Sequence, residues 1–490
     1  MLQLILGGAR SGKSRLAENI AQQRGIPVIY VATAQALDDE MQQRIQHHQQ
    51  QRPKQWKLCE EPIFLADQLL KLDQEHQIIL VDCLTLWLTN LLLAEDQDLQ
   101  QQQTDKLLEI LPKLKSEIIL VSNETGLGVV PMGEISRRFV DEAESAKQID
   151  LEAKHLAEQR QQQLTKPTGA LGELEQLAIQ LASLQGTVHP QIQKPWITIF
   201  AGDHGVVEEN ISAYPQAVTR QMLQNFTSGG AAISVIAKHH QAQLQVIDCG
   251  TVGDPYDYVG VERHCIRAGT ANFAQHVAMT EQECFAALAL GKTSVELAQS
   301  EQADIFIAGE MGIGNTCSAS AIACLLLNED AAQLTGVGTG INNQQLQHKI
   351  AVINQAIELH HSSVENDALK ILAAVGGLEI AAMTGAYLRC AQIGLPIVVD
   401  GFISSVAALC AVRIQPSCHD WMLFGHQSAE YGHVRILKEL NAQPILKMNL
   451  RLGEGSGAGA ALSMLQLACV LHNQMATFAE AAVTGDKVAP

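Results

Sequence analysis

Asp304-Ile-Phe-Ile-Ala-Gly-Glu-Met-Gly-Ile-Gly-Asn-Thr-Cys-Ser318 is the stretch whose reading decides the fold. Four apolar residues, Ile305 to Ala308, carry a short strand, and glycines open where it ends. From Ser318 to Leu327 the residues are small and apolar, which predicts a buried helix. Gly309, Gly312 and Gly314 strip side chains from the strand-to-helix turn. Backbone N–H groups there, with the helix N-terminus behind them, suit an anion such as phosphate. Glu310 stands inside that turn, beside the anion cradle. The bland alternative is a glycine-rich turn with a solvated glutamate.

Working outward, the same layout repeats. Trp196 to Ala201 predicts a strand ending in Gly202-Asp-His-Gly205. Leu244 to Asp248 and Ile397 to Asp400, with Gly401 after it, predict two more with a carboxylate at the carboxyl end. Repeated strand–glycine–helix units predict an α/β domain with a mostly parallel sheet, its ligand cleft lined by those strand ends. Arg451-Leu-Gly-Glu-Gly-Ser-Gly-Ala458 enters a final helical stretch, with Glu454 between two glycines as Glu310 follows Gly309. Tyr214 to Met222 and Asn225 to Ala231 are loop-to-helix junctions. His204 has the chemistry of a metal ligand, but no second ligand stands at motif spacing. Ser145 to Gln163 predicts a long polar helix.

The chain opens differently. Leu2 to Leu6 is a short strand, and Gly7, Gly8, Ala9, Arg10, Ser11, Gly12, Lys13 and Ser14 follow, with a helix from Arg15 to Gln23. This is G-x-x-x-x-G-K-S/T in the strand–loop–helix context the motif needs. The glycines let N–H groups face phosphate, Lys13 reaches the terminal phosphates and Ser14 ligates Mg2+. Strands at 27–32, 78–81 and 118–121 alternate with helices, so this part predicts a doubly wound α/β domain. Asp82 ends the third strand, where a carboxylate meets magnesium. On a polar helix over Asp38 to Gln51, i,i+4 spacing puts Arg44, His48 and Arg52 on one face. A neutral histidine between arginines suits attack on a phosphoryl centre; a surface histidine pair, His47 and His48, is the plain reading.

With 490 residues, 47% of them apolar, the chain is too long for one ordinary core, so two domains, or one large domain with an appendage, are expected. A net charge of -19 disfavours nucleic acid, which needs a basic surface, but not nucleotides. Eleven scattered cysteines with no C-x-x-C pair suit a reduced, cytoplasmic protein. No signal peptide or membrane span is expected; the apolar stretch from Leu369 to Ile414 is broken by charges, glycines and Pro396.

The P-loop, A-T-A-x-x-x-D-D-E-M-x-x-R-I-x-H-H-x-x-x-R-P-x-x-W from Ala32, V-D-C-L-T-L-W-L-T-N-L-L from Val81 and V-S-N-E-T-G-L-G-V-V-P from Val121 resemble the adenosylcobinamide kinase/adenosylcobinamide-phosphate guanylyltransferase family over residues 1–142. The resemblance implies phosphorylation of adenosylcobinamide from ATP or GTP with Mg2+, then GMP transfer from GTP through a covalent histidine. That histidine would be His48 or His47. Thr33, Arg52, Glu60 and Asp82 would contact nucleotide, and Ser14 and Asp82 the metal. After Arg137-Arg-Phe-Val-Asp141 the family's last strand has no counterpart. The sheet is therefore expected to lack an edge strand or to borrow one.

Residues 145–490 carry K-P-x-G-x-L-G-x-L-E, G-D-H-G-V, Y-P-x-x-V-T-x-Q-M, G-E-M-G-I-G-N-T, V-G-G-L-E-I-A-A-M, D-G-F-I and R-L-G-E-G-S-G-A, in that order. They resemble the nicotinate-nucleotide:5,6-dimethylbenzimidazole phosphoribosyltransferases. The resemblance implies an α/β fold with a helical subdomain and a homo-oligomer. It implies transfer of phosphoribose from nicotinate mononucleotide to 5,6-dimethylbenzimidazole with no cofactor. Glu454 would be the general base and Glu310 a second active-site carboxylate. Tyr214 and Gln221 would form the base-binding wall, and Gly312, Gly314, Asn315, Thr316 and Ser318 the phosphate turn. Cys317 stands where the family has a second threonine, a hydroxyl lost near the phosphate. Together the two resemblances imply a fused enzyme of cobalamin nucleotide-loop assembly. The alternative is a working phosphoribosyltransferase with a nucleotide-binding or docking module before it.

Overall fold

The computed structural model describes residues 2–7, 13–33, 56–93, 97–123, 146–338, 340–364 and 367–484. The chain divides into two compact units, Met1–Ala143 and Glu144–Pro490. The P-loop residues Gly8 to Gly12, the segment with His47, His48 and Arg52, and the stretch after Asn123 lie outside the described residues.

The first unit holds a parallel sheet of β1 (Leu2–Gly7), β2 (Val28–Ala32), β3 (Lys57–Glu60), β4 (Ile78–Asp82) and β5 (Glu117–Asn123), in the order β1-β5-β4-β2-β3. Strand periodicity sends alternate residues to opposite faces. Val28, Tyr30, Ile78, Leu80, Ile119 and Val121 pack with Ala17 and Ala21 of the helix Lys13–Gln23. Ile29, Val31, Ile79, Val81, Ile118 and Leu120 pack with Leu65 and Leu69, Trp87 and Leu91, and Leu107 and Ile110. Helices therefore cover both faces, as the doubly wound reading requires. β3 is a departure from the sequence reading, which named four strands here. Lys57-Leu-Cys-Glu60 is short and polar because it is an edge strand, mostly exposed, whose ladder with β2 rather than burial makes it a strand.

The second unit is built on seven strands: β6 (Pro195–Gly202), β7 (Gln243–Gly250), β8 (Val261–Arg263), β9 (Ile305–Met311), β10 (Ile397–Val399), β11 (Met422–His426) and β12 (Pro444–Leu446). Their order is β12-β11-β10-β9-β6-β7-β8, and every pairing is parallel. All eight residues of β6 are buried, as a central strand covered on both faces demands. Strand order runs one way from β6 through β7 to β8 and the other way from β9 to β12. The reversal falls between β6 and β9, and such a switch point opens a crevice at the carboxyl ends of the strands.

The helix expected from Ser145 begins only at Leu151. Residues 146–150 are neither helix nor strand: Lys147 N–H donates to Ala391 O and Asp150 N–H to Ser183 O. Asp150 then caps Leu151–Gln163, accepting from Ala153 N–H at 2.8 Å. This helix belongs to the second unit. Its Ala157 packs on Ile179 and Ala182 of Glu173–Gln185, and Arg160 Nε donates to His472 O at 2.8 Å.

Candidate functional site

At the switch point lies a cavity of about 430 Å³. Glu310 enters it from the end of β9, Asp400 from just past β10 and His426 from the end of β11; Glu454 closes it from the loop before the last helix, Ser456–Gln474. Gly312, Ile313, Asn315 and Thr316 line it where the helix Asn315–Leu327 begins.

Three carboxylates are thus gathered in one buried place. Glu310 Oε2 accepts from Asn315 Nδ2, and its Oε1 accepts from Glu454 N–H at 3.3 Å. Asp400 accepts from Gly455 N–H at 3.2 Å and Ala458 N–H at 2.7 Å, so it satisfies the amino end of the last helix. His426 Nε2 lies 3.6 Å from Asp400 Oδ1. These bonds fix Glu454 at φ +60°, a left-handed backbone that costs a non-glycine residue about 1–2 kcal/mol. The side chain itself makes none of the bonds that hold its loop. Burial, and then the charge of Asp400, push Glu454 up to about 7. Burial likewise raises Glu310 well above the usual carboxylate range, and Asp400 above its own. A carboxylate poised near neutrality in a cavity is equipped to take a proton.

A few residues away the cavity changes sign. Gly314, at φ +100°, caps Asn315–Leu327 without any side-chain bond, so the helix N-terminus faces the cavity. Lys349, fully buried, donates from Nζ to Thr316 Oγ1 at 2.8 Å. Burial lowers its pKa, and the neighbouring Glu430 opposes that shift. Tyr214, just before the helix Ala217–Thr227, and Val218 and Met222, one turn apart on it, line the same cavity with Phe402 and Ile403 as an apolar wall. The cavity therefore offers a base, an anion cradle and a slot for a flat apolar group.

Several residues expected here stand elsewhere. Gln221 is exposed and does not line the cavity; helical spacing turns it outward and Met222 inward. Ser318 is buried and donates to Val375 O, and Gly314 shapes the turn from behind the lining. Cys317 is fully buried in the core, so no hydroxyl facing the cavity is lost there. Asp248 lies on β7, beyond the switch, and is held by Thr251 Oγ1 at 2.9 Å and Tyr256 Oη at 2.6 Å. His204 bonds Glu379 Oε1 at 2.8 Å. Among the described residues no cluster of three or more His, Cys, Asp or Glu is arranged to hold a metal.

His426, Lys349, Glu430, Val218 and Met222 were not read as site residues. His426 was within reach, since Met422-Leu-Phe-Gly-His426 follows the strand-then-polar rule that marked Asp400. Nothing near Lys349 in sequence marks it.

In the first unit, Lys13 and Ser14 open a helix shortly after β1 ends at Gly7. Asp82 ends β4 and accepts from Tyr30 Oη at 2.5 Å. Thr33 is a correction: it is fully buried, and its hydroxyl donates to Cys83 O at 2.7 Å and accepts from Cys83 N–H at 2.9 Å. Its hydrogen is committed to joining β2 to β4, which leaves none for a nucleotide. Glu60 ends β3 exposed.

Residues 146–483 match the phosphoribosyltransferase family, and residues 3–158 match the cobinamide kinase / cobinamide phosphate guanyltransferase family. The second match runs past residue 142, where the sequence reading ended it. The two overlap over residues 146–158, which take in the first part of the capped helix Leu151–Gln163. Among curated proteins, nicotinate-nucleotide–dimethylbenzimidazole phosphoribosyltransferase of Pseudomonas fluorescens is 57% identical over 337 residues, covering 69% of this chain and 96% of that protein. The Pseudomonas putida protein of the same name is 57% identical over 335 residues, covering 68% and 95%. The crystal structure of nicotinate-nucleotide–dimethylbenzimidazole phosphoribosyltransferase from Thermus thermophilus aligns with a TM-score of 0.65 at 41% identity, covering 69% of this chain and all of that one.

Proposed function

The chain belongs to the phosphoribosyltransferase family, with a cobinamide kinase/guanyltransferase-like segment fused before it, and we propose on that premise that its second unit transfers phosphoribose from nicotinate mononucleotide to 5,6-dimethylbenzimidazole. The observation that carries this reading is Glu454, a buried carboxylate raised to about 7, sharing one cavity with a helix N-terminus that no side chain caps.

The phosphate of nicotinate mononucleotide sits against Gly312 to Thr316, with Lys349 supplying charge behind Thr316. The benzimidazole lies along Tyr214, Val218 and Met222. One ring nitrogen forms a bond to C1′ of the ribose while the bond from C1′ to nicotinate breaks, its electron pair leaving on the pyridine nitrogen. Glu454 takes the proton from the other ring nitrogen. Positive charge grows on the ribose as the old bond stretches, and Glu310 and Asp400 stabilise it to the extent that they are ionised. The full chain incubated with both substrates yields alpha-ribazole 5′-phosphate and nicotinate in equal amounts. Folded protein that releases neither overturns the reading.

The first unit, on the same premise, phosphorylates adenosylcobinamide; His48 or His47 then takes GMP from GTP, releasing pyrophosphate, and passes it to the new phosphate. Lys13, with the rest of the Gly7 to Ser14 loop, would cradle the triphosphate. Asp82 and Ser14 would supply hard oxygen donors for Mg2+, which would neutralise phosphate charge. Assembly as a homo-oligomer belongs to the same proposal. An acid-labile, alkali-stable adduct formed from labelled GTP supports catalysis in this unit. Its absence leaves the unit as a nucleotide-binding or docking module.

A further inference from the structure

The turn from Gly312 to Gly314 rests on two residues that do not line the cavity. Asp203 and His204 directly follow β6. Thr219 Oγ1 donates to Asp203 Oδ1 at 2.7 Å and accepts from Ile313 N–H at 3.2 Å. The direction of this chain is set by Asp203. Its oxygens accept from Thr219 and Val252, so the Thr219 hydrogen is drawn to it and a lone pair is left for Ile313, while burial raises the Asp203 carboxyl. Asp203 is pinned in turn: Val252 N–H donates to its Oδ2 at 2.9 Å, and Thr270 N–H to its carbonyl at 2.9 Å.

His204 supports the same turn by contact. A Cβ added to Gly312 would stand 3.3 Å from His204 Nε2 and 2.3 Å from Gly202 O. One added to Gly314 would stand 3.1 Å from His204 Cβ. The ring is held by Glu379, 2.8 Å from Nε2, both side chains being fully buried, and Gln216 Nε2 donates to the His204 carbonyl at 2.9 Å. The turn is thus tied at Ile313 and shelved beneath its two flanking glycines.

We propose that Asp203, Thr219 and His204 are positioning residues that fix the Gly312–Gly314 turn, and so set affinity for the phosphate-bearing substrate without touching it. This rests on the phosphoribosyltransferase reading above. It separates two effects: the turn faces phosphate, whereas the proton is taken by Glu454 on another loop. Loss of the shelf weakens binding of nicotinate mononucleotide and leaves the affinity for dimethylbenzimidazole.

The test is calorimetric binding of nicotinate mononucleotide to full-length protein, with steady-state kinetics and melting curves alongside. Thr219→Val keeps shape and removes the hydroxyl; Kd for nicotinate mononucleotide rises about tenfold while kcat and the KM for dimethylbenzimidazole stay within about threefold. Thr219→Ser restores wild-type affinity. His204→Gln, which still reaches Glu379 but takes away the ring, gives the same signature and serves if Thr219→Val does not fold. Unchanged Kd in both variants, or a lowered Tm with no change in Kd, overturns the inference alone. Wild-type protein that neither binds nicotinate mononucleotide nor turns it over overturns the reading beneath it as well.

Discussion

The backbone N–H of Glu454 donates to Oε1 of Glu310 at 3.3 Å, so the loop carrying one buried carboxylate is tied down by another from the end of β9. Asp400 holds the same loop one residue on, through Gly455 N–H. These two bonds explain how a glutamate keeps a left-handed backbone. They also explain why its side chain points into the cavity with its acceptor capacity unspent.

The raised Glu454 makes both activity and stability depend on pH. A base must be ionised to accept a proton, so kcat/KM rises with pH along an acid limb whose midpoint lies near 7. Stability moves the other way. The native carboxyl holds its proton more tightly than the unfolded one, so its contribution is fully present below 4.5 and lost as pH rises through about 7. Melting curves of wild type and Glu454→Gln across this window therefore converge at low pH and separate as pH rises, the variant falling less. Glu310 and Asp400 are raised too, so part of the fall remains in the variant. Parallel curves contradict the assignment of this shift to Glu454.

Lys349→Met keeps most of the buried volume and removes the ammonium that bonds Thr316. Affinity for nicotinate mononucleotide falls about 10- to 100-fold, the worth of one hydrogen bond to a charged group. The affinity for dimethylbenzimidazole, assigned to the apolar wall, stays near wild type. Equal losses for both substrates place the effect in packing instead, and substrate-specific KM values decide between them.

Lys13→Ala removes the charge that faces the terminal phosphates in the P-loop reading. Transfer from ATP and GTP is abolished, and phosphoribosyl transfer by the same preparation is unchanged. Loss of both in a protein that melts normally argues against independent sites.

The sequence carried the fold well where its periodicity was strong. Ile305 to Ala308 and Ile397 to Asp400 read as strands because a central parallel strand is apolar on both faces, and glycines mark where each ends. Lys57–Glu60 escaped because an edge strand is held by its ladder and needs no apolar run. Glu310, Asp400 and Glu454 were legible as strand-end or glycine-flanked carboxylates. Lys349 was not, since its function depends on a helix crossing behind Thr316 from 33 positions away. Cys317 and Gln221 were misread for one reason. A motif gives residue order, but the roughly 100° turn per helical residue decides which member of the motif faces the ligand.

The most direct test is the turnover of Glu454→Gln. Glutamine keeps the size and the hydrogen bonding but cannot hold the proton as a carboxylate does. Measured with saturating nicotinate mononucleotide and dimethylbenzimidazole at a pH above the acid limb, kcat falls roughly 10²–10⁴-fold while nicotinate mononucleotide affinity is kept. A kcat within about threefold of wild type contradicts Glu454 as the base and moves the role to Glu310.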